Sequence, residues 1–268
     1  MREGSGRTAL VTGASAGIGL AFAKVLAERG YDVILTARRR DRLEAAARDL
    51  ETRHGVRTLT IAEDLARPGG GTRVLEAASR AGWGIDVLIN NAGYGVPGSY
   101  ANTTWAQQRD FLEVLVVAVC EIAHGVVPGM VERRWGRIVN VASLAGLLPG
   151  VAGHTLYAAS KAFVIAFSES LALELAPHGV NVSASCPGFT LSEFHDVTGT
   201  REQVSKMPTF MWLDADQVAL ASYTAVMAGN PVYVTGRLNR TIASLSRLLP
   251  RRIVWAAMKR SAGSYRKT

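Results

Sequence analysis

Thr12-Gly13-Ala14-Ser15-Ala16-Gly17-Ile18-Gly19 follows the apolar run 9–11 and opens the amphipathic stretch 20–29. The order is strand, glycine turn, helix. Gly13 permits the tight turn, Gly17 lets backbone approach a pyrophosphate, and Gly19 lets helix pack on strand, while the helix N-terminus faces the anion. Three glycines near a helix start are a weak signal alone, and the rest of the chain decides what they mean.

Working outward, short apolar runs at 8–12, 32–37, 58–62, 85–90, 137–142, 180–185 and 231–234 alternate with helical patterns. The helical stretches are 17–29, 39–54, 71–81, 104–132, 155–176 and 215–227. Such alternation predicts an α/β domain with a doubly wound, seven-stranded parallel sheet and helices on both faces. With 268 residues, 48% of them hydrophobic, the chain can bury a sizeable core as one domain. Gly69-Gly70-Gly71 reads as a loop rather than a linker. The expected division is 1–236 as the nucleotide-binding and catalytic domain and 237–268 as a basic helical extension.

Ligands bind beyond the carboxyl ends of the strands in such a sheet. Asn90-Asn91-Ala92-Gly93 follows the fourth apolar run, Ser143 the fifth and Pro187-Gly188 the sixth, so all converge on the edge that carries the glycine turn. Tyr157 and Lys161, in Tyr157-Ala158-Ala159-Ser160-Lys161, share one helix face. A free tyrosine has a pKa of about 10, and lowering it by about three units takes about 4 kcal/mol. A lysine about 4 Å away supplies roughly that at an effective dielectric of about 20, and only about 1 kcal/mol in bulk water. The pair therefore suits proton exchange with a carbonyl or alcohol oxygen in a partly dried cleft, with Ser143 as a second donor. The competing reading of the pentad alone is an exposed tyrosine and lysine on an ordinary helix.

With these pieces in this order, the chain resembles the short-chain dehydrogenase/reductase family over about residues 8–236. The resemblance implies a single-domain Rossmann fold and an oxidoreductase that moves a hydride between a nicotinamide and a carbonyl or alcohol substrate. It makes Tyr157 the general acid/base, lets Lys161 lower its pKa and hold the nicotinamide ribose, and has Ser143 position the substrate oxygen. Gly13, Ser15, Ala16, Gly17, Ile18 and Gly19 would hold the pyrophosphate. Asp64 would contact the adenine beside Leu65, and Asn91, Ala92 and Gly93 would line the cleft. Pro187, Gly188, Thr190 and Ser192 would meet the nicotinamide end, with Ser192 standing where the family usually has threonine. Pairing through helices 104–132 and 155–176 would give a homodimer or homotetramer.

One departure matters. Leu115, 22 residues beyond Gly93 and 13 before Pro128, stands where the family's catalytic asparagine usually stands. That asparagine usually helps hold a water that passes protons to the lysine, and leucine has no polar atom to replace it. The expectation is a working but slower enzyme, and the alternative is a cofactor-binding protein with weak or lost turnover.

The cofactor expected is NADP(H) rather than NAD. At the end of the second strand, an NAD-dependent enzyme would place an Asp or Glu on the ribose hydroxyl, whereas Ala37 is followed here by Arg38, Arg39 and Arg40. A guanidinium at Arg38 can bind a 2′-phosphate in bidentate geometry. The loop 188–212, with Phe189, Phe194, Phe210, Met211 and Trp212, points to a hydrophobic or bulky small-molecule substrate. His154 and His195 have no metal-ligand spacing, and no metal site is expected.

The formal charge of +8 lies in the tail: residues 237–268 hold nine basic and no acidic side chains, leaving 21 basic against 22 acidic in 1–236. Trp255 and Tyr265 are the tail's two aromatics, too few for a nucleic-acid surface built on stacking. A contact with an anionic membrane surface is the alternative use of those cations. Met1-Arg2-Glu3-Gly4-Ser5-Gly6-Arg7 lacks the apolar core of a signal peptide, and the run 114–119 is far short of the roughly 20 apolar residues that cross a bilayer. Cys120 and Cys186 read as separate thiols. A cytoplasmic protein is expected.

Overall fold

A computed structural model describes residues 2–96, 99–150, 155–191 and 208–265, with side chains to 259 in the last stretch. Seven parallel strands form one sheet: β1 (Thr8–Thr12), β2 (Asp32–Ala37), β3 (Thr58–Ala62), β4 (Val87–Asn90), β5 (Gly136–Val141), β6 (Val180–Cys186) and β7 (Val232–Val234). Their spatial order is β3-β2-β1-β4-β5-β6-β7. The strand order reverses between β1 and β4, which opens a crevice beyond their carboxyl ends. The chain is therefore a single Rossmann-like domain, as expected.

Period-two alternation along the strands separates two cores. Ala9, Val11, Val33, Leu35, Val87 and Ile89 face α1 (Gly17–Glu28), α2 (Arg40–His54) and α7 (Ala215–Met227). Leu10, Ile34, Leu88, Ile138 and Val182 face the helices of the opposite layer: α3 (Gly70–Arg80), α4 (Trp105–Leu112), α5 (Ala118–Glu132) and α6 (Thr155–Leu175). Gly55, at φ 67, ends α2 in the left-handed conformation that glycine adopts without strain.

The expected helix 104–132 is interrupted. Glu113–Val117 forms a π turn between α4 and α5, with the Ala118 N–H bonded to the Glu113 carbonyl five residues back. Valines at 114, 116 and 117 crowd this turn with stiff β-branched side chains. The apolar pattern stays helical through it, so periodicity alone predicted one unbroken helix. By length and composition the continuous segment Trp105–Glu132, and also Thr155–His178, would suffice to cross a membrane. Here both lie on the sheet and supply much of the second core.

Beyond β7 the chain folds back as α8 (Arg237–Leu248) and α9 (Arg251–Tyr265). Leu249 is extended, at φ −78 and ψ 144, as proline requires of its predecessor, so Pro250 separates the two helices. α8 buries Asn239 and Ala243.

Candidate active site

The crevice starts at the end of β1. Gly13 has φ 67, and a Cβ there would lie 2.8 Å from Asn91 Nδ2 and 2.9 Å from Ala92 Cα. Gly19 is tighter still, because a Cβ would collide with the Gly13 carbonyl oxygen. Both glycines are needed for close approach of backbone. The Thr12 hydroxyl accepts from the N–H groups of Asn91 and Ala92 at 2.9 Å each and donates to the Ile89 carbonyl at 3.3 Å. Asn91 Nδ2 donates back to the Thr12 carbonyl at 2.9 Å. Glycine turn and Asn91-Ala92-Gly93 are thereby clasped into one wall. The clasping role of Thr12 was not anticipated, although the residue stands inside the motif.

At Ala16 no side chain caps α1, and its first turn, which includes Gly17, Ile18 and Gly19, carries no acidic residue. That leaves a positive helix terminus facing the crevice, suited to a pyrophosphate. Arg39 Nη2 donates to Ser15 Oγ at 3.1 Å. Arg38 is exposed and near enough to Tyr94 to oppose the upward push of burial on its phenol. Sequence reasoning put the phosphate-binding cation at Arg38 alone. The structure brings Arg39 onto the glycine turn, a contact that sequence spacing does not reveal. The Asp64 carboxylate accepts from the Ala66 N–H at 3.1 Å, shaping the turn after β3 in which Leu65 is buried. Leu115 is 1% exposed, and its side chain lies 3.9 Å from where a Cβ on Gly93 would stand.

Ser143 follows β5 in extended conformation, and its Oγ accepts from the Ala145 N–H at 3.2 Å. Its side chain is also hydrogen-bonded to Tyr157. Gly146 presses the 144–147 turn onto α6, since a Cβ there would fall 2.6 Å from the Lys161 carbonyl carbon. Tyr157 and Lys161 lie one helical turn apart, with Lys161 Nζ 5.8 Å from the Tyr157 ring centroid. Lys161 is 6% exposed and donates to the Val141 carbonyl at 2.6 Å.

The electrostatics differ from the expectation that the lysine pulls the phenol down. Burial pushes the Tyr157 phenol up, against a smaller downward effect of the Ser143 hydrogen bond. Burial also pulls the Lys161 ammonium down to about 8. Desolvation penalises both charged forms, so it sets the direction for each. Cys186, fully buried at the end of β6, is a further neighbour: burial pushes its thiol up to about 12, and Lys161 opposes that rise. Nothing in the sequence signalled this adjacency.

On the remaining side, the Pro187 carbonyl accepts from the Leu144 N–H at 2.9 Å, and Thr190 Oγ1 donates to the Gly188 carbonyl at 3.2 Å. Gly188 abuts α8, where a Cβ would come within 2.5 Å of Asn239 Nδ2. Phe189 and Trp212 pair with ring centroids 5.9 Å apart, and Phe210 is 73% exposed. Ser192, with Phe194, His195 and His154, lies outside the described residues. A groove of about 1110 Å³ between α3 and α5, lined in part by Leu75, Trp83, Cys120 and His124, contains none of the expected site residues.

Comparison with known proteins agrees with this geometry. The short chain dehydrogenase family matches residues 7–203. A 3-oxoacyl-[acyl-carrier-protein] reductase of Vibrio cholerae is 35% identical over 236 residues, 86% of this chain and 93% of the relative. A short-chain dehydrogenase from Sphingobium yanoikuyae in complex with NADPH superposes with a TM-score of 0.79 at 30% identity, over 91% of this chain and 96% of that one. A 3-oxoacyl-[acyl-carrier protein] reductase with bound NAD from Brucella melitensis gives 0.73 at 28% identity, over 86% and 90%. The glycine cradle, the Tyr157 and Lys161 helix and the match along most of the chain have one conclusion: the protein belongs to the short-chain dehydrogenase/reductase family of oxidoreductases.

Proposed function

We propose that the protein transfers a hydride between NADP(H) and a small carbonyl or alcohol substrate, with Tyr157 as general acid/base. The observation that carries this reading is the convergence of Ser143, Tyr157 and buried Lys161 beside the glycine cradle. The uncapped start of α1 and the close approach at Gly13 and Gly19 fit a dinucleotide. When bound, the nicotinamide supplies or accepts the hydride at C4. In the reducing direction the Tyr157 hydroxyl gives its proton to the oxygen whose carbon receives the hydride, and Ser143 holds that oxygen. Lys161 would hold the nicotinamide ribose and stabilise the phenolate as the proton leaves.

NADP(H) is preferred over NAD in this reading because Arg38 and Arg39 both stand at the end of β2, where a carboxylate would be needed for the ribose hydroxyl. Relatives with NADPH and with NAD both exist, so the preference rests on these arginines. Phe189, Trp212 and Phe210 favour a hydrophobic substrate. A homodimer or homotetramer would cover exposed Val117, Phe163 and Leu173 on α4–α5 and α6, and a cytoplasmic location accompanies the proposal.

A second reading has a specific basis in Leu115, whose buried side chain offers nothing to a proton-carrying water. On that reading the protein binds cofactor with weak or lost turnover. The deciding experiment is a screen of purified protein against carbonyl and alcohol panels with each cofactor, followed at the reduced-nicotinamide absorbance. Turnover of any panel member that Tyr157→Phe abolishes supports the enzyme; cofactor binding without turnover supports the alternative.

A further inference from the structure

The acid-free segment 237–268 is divided by α8 into an inner and an outer face. The inner face carries Asn239, Ala243 and Ser246; Asn239 abuts Gly188, and Ser246 Oγ donates to the Leu147 carbonyl at 3.5 Å. The outer face is exposed. Leu238, Leu245 and Leu248, at spacings of seven and three, form one stripe on a helix. Arg237, Arg240 and Arg247 occupy the adjoining stripe. Leu248 is 80% exposed, far more than an apolar side chain with a partner inside the fold would be.

The same combination continues past Pro250. Leu249, Ile253 and Trp255 are exposed, as are Arg251 and Arg252, while Val254 is buried. Lys259 Nζ lies 5.8 Å from the Trp255 ring. Two successive basic helices thus present leucine, isoleucine and tryptophan to solvent beside their cations. A duplex nucleic acid would use the arginines and leave the leucines in water, because its phosphates supply the contact. A ridge of single side chains on convex helices suits a broad, deformable surface that takes apolar groups below a layer of negative charge.

We propose that α8 and α9 dock the protein on an anionic lipid bilayer, with Leu245, Leu248 and Trp255 entering the headgroup boundary and the cations meeting acidic headgroups. The proposal does not depend on the redox reading. It adds an orientation to it: the inner face of α8 covers Leu147 and Gly188, so docking sets that side of the crevice close to the lipid.

The test is flotation of the full chain with vesicles of phosphatidylcholine alone and of phosphatidylcholine mixed with phosphatidylglycerol, at low and physiological salt. Co-flotation with the mixed vesicles alone is expected, reduced but retained at physiological salt. Leu245→Ser with Leu248→Ser, and separately Arg251→Gln with Arg252→Gln, should each lower partitioning by about tenfold or more. Bromine-labelled lipid should quench fluorescence in the wild type and much less in Trp255→Phe, a conservative change that also serves if the double variants do not fold. Absence of the wild type from the mixed vesicles, unchanged partitioning of both double variants, or equal quenching in Trp255→Phe overturns the proposal.

Discussion

The two halves of the crevice are built by different means. Around Gly13, Gly19, Thr12 and Asn91 the wall is made of backbone held at contact distance, and its specificity lies in the space that absent side chains leave. Around Ser143, Tyr157 and Lys161 the wall is made of side chains, and burial shifts the proton affinities of Tyr157 and Lys161. The first half is fixed by sterics and tolerates no added atom. The second is tuned by solvation and should answer to charge and pH.

The largest effect should come from removing one atom in the tuned half. Tyr157→Phe should lower kcat by at least about a hundredfold, the lower range for loss of a general acid, while titration of NADPH fluorescence shows nearly unchanged affinity. Retention of more than a few per cent of the wild-type rate would place the acid elsewhere. Lys161→Ala should damage both rate and affinity, given its two proposed roles.

Gly13→Val tests the steric half. It adds a β-branched side chain at positive φ against Asn91 and Ala92, and overpacking of this kind typically costs about 1–3 kcal/mol. A lower melting temperature together with weakened NADPH binding is expected. A variant that binds as the wild type does would show the cradle to be looser than its contacts imply.

Cofactor choice joins charge to the steric half. Replacing Arg38 and Arg39 together by Gln should weaken NADPH by about ten- to a hundredfold, the scale of lost charge-assisted hydrogen bonds, and leave NADH almost unchanged. Equal dissociation constants of the wild type for the two cofactors, measured by titration, would sink the NADP(H) preference.

The pH response probes the tuned half directly. Lys161 is pulled from 10.5 to about 8; between these values the unfolded lysine keeps a proton that the folded one has lost. The unfolded state then binds more protons, so this group makes stability rise with pH across that window. Cys186 works the other way, because its thiol, raised from 9.0 to about 12, keeps a proton that the unfolded chain releases. In urea denaturation of the cofactor-free protein, Lys161→Met should lose the rising contribution between pH 8 and 10.5. Cys186→Ala should lose the falling one. Parallel profiles for wild type and Lys161→Met would mean that Lys161 keeps an ordinary proton affinity.

The smallest effect is expected at Leu115→Asn, about a few-fold increase in rate if proton resupply limits turnover, since one neutral hydrogen bond is worth only about 0.5–1.5 kcal/mol. An unchanged rate, with hydride transfer shown by isotope effect to be limiting, would make Leu115 a packing residue.

Much of this was legible in the sequence for a physical reason. Strands buried on both faces read as short apolar runs, and β1 and β2 begin and end where those runs do. Glycines that permit close approach announce themselves because other residues would not fit, and Tyr157 with Lys161 is visible through helical spacing. The π turn was not legible, because widening one turn leaves the apolar pattern intact. Nor was the Arg39 contact with Ser15, or Cys186 beside Lys161, since each joins residues from separate strand ends. The direction of the Tyr157 shift was missed because spacing gives proximity but says nothing of how dry the cleft is.

The π turn at Glu113–Val117 carries one residue more than an α-helical turn over the same span. It therefore works as a phase adjuster between α4 and α5. Deleting a residue there would restore a regular helix but turn α4 by about 100° relative to α5. Phe111, which meets Tyr94 edge-on at 5.5 Å between ring centroids, would swing away from the strand end that carries Asn91, Ala92 and Gly93. One surplus residue thus keeps two helical segments in register with the same crevice, and the segment's length is as strongly constrained as its composition.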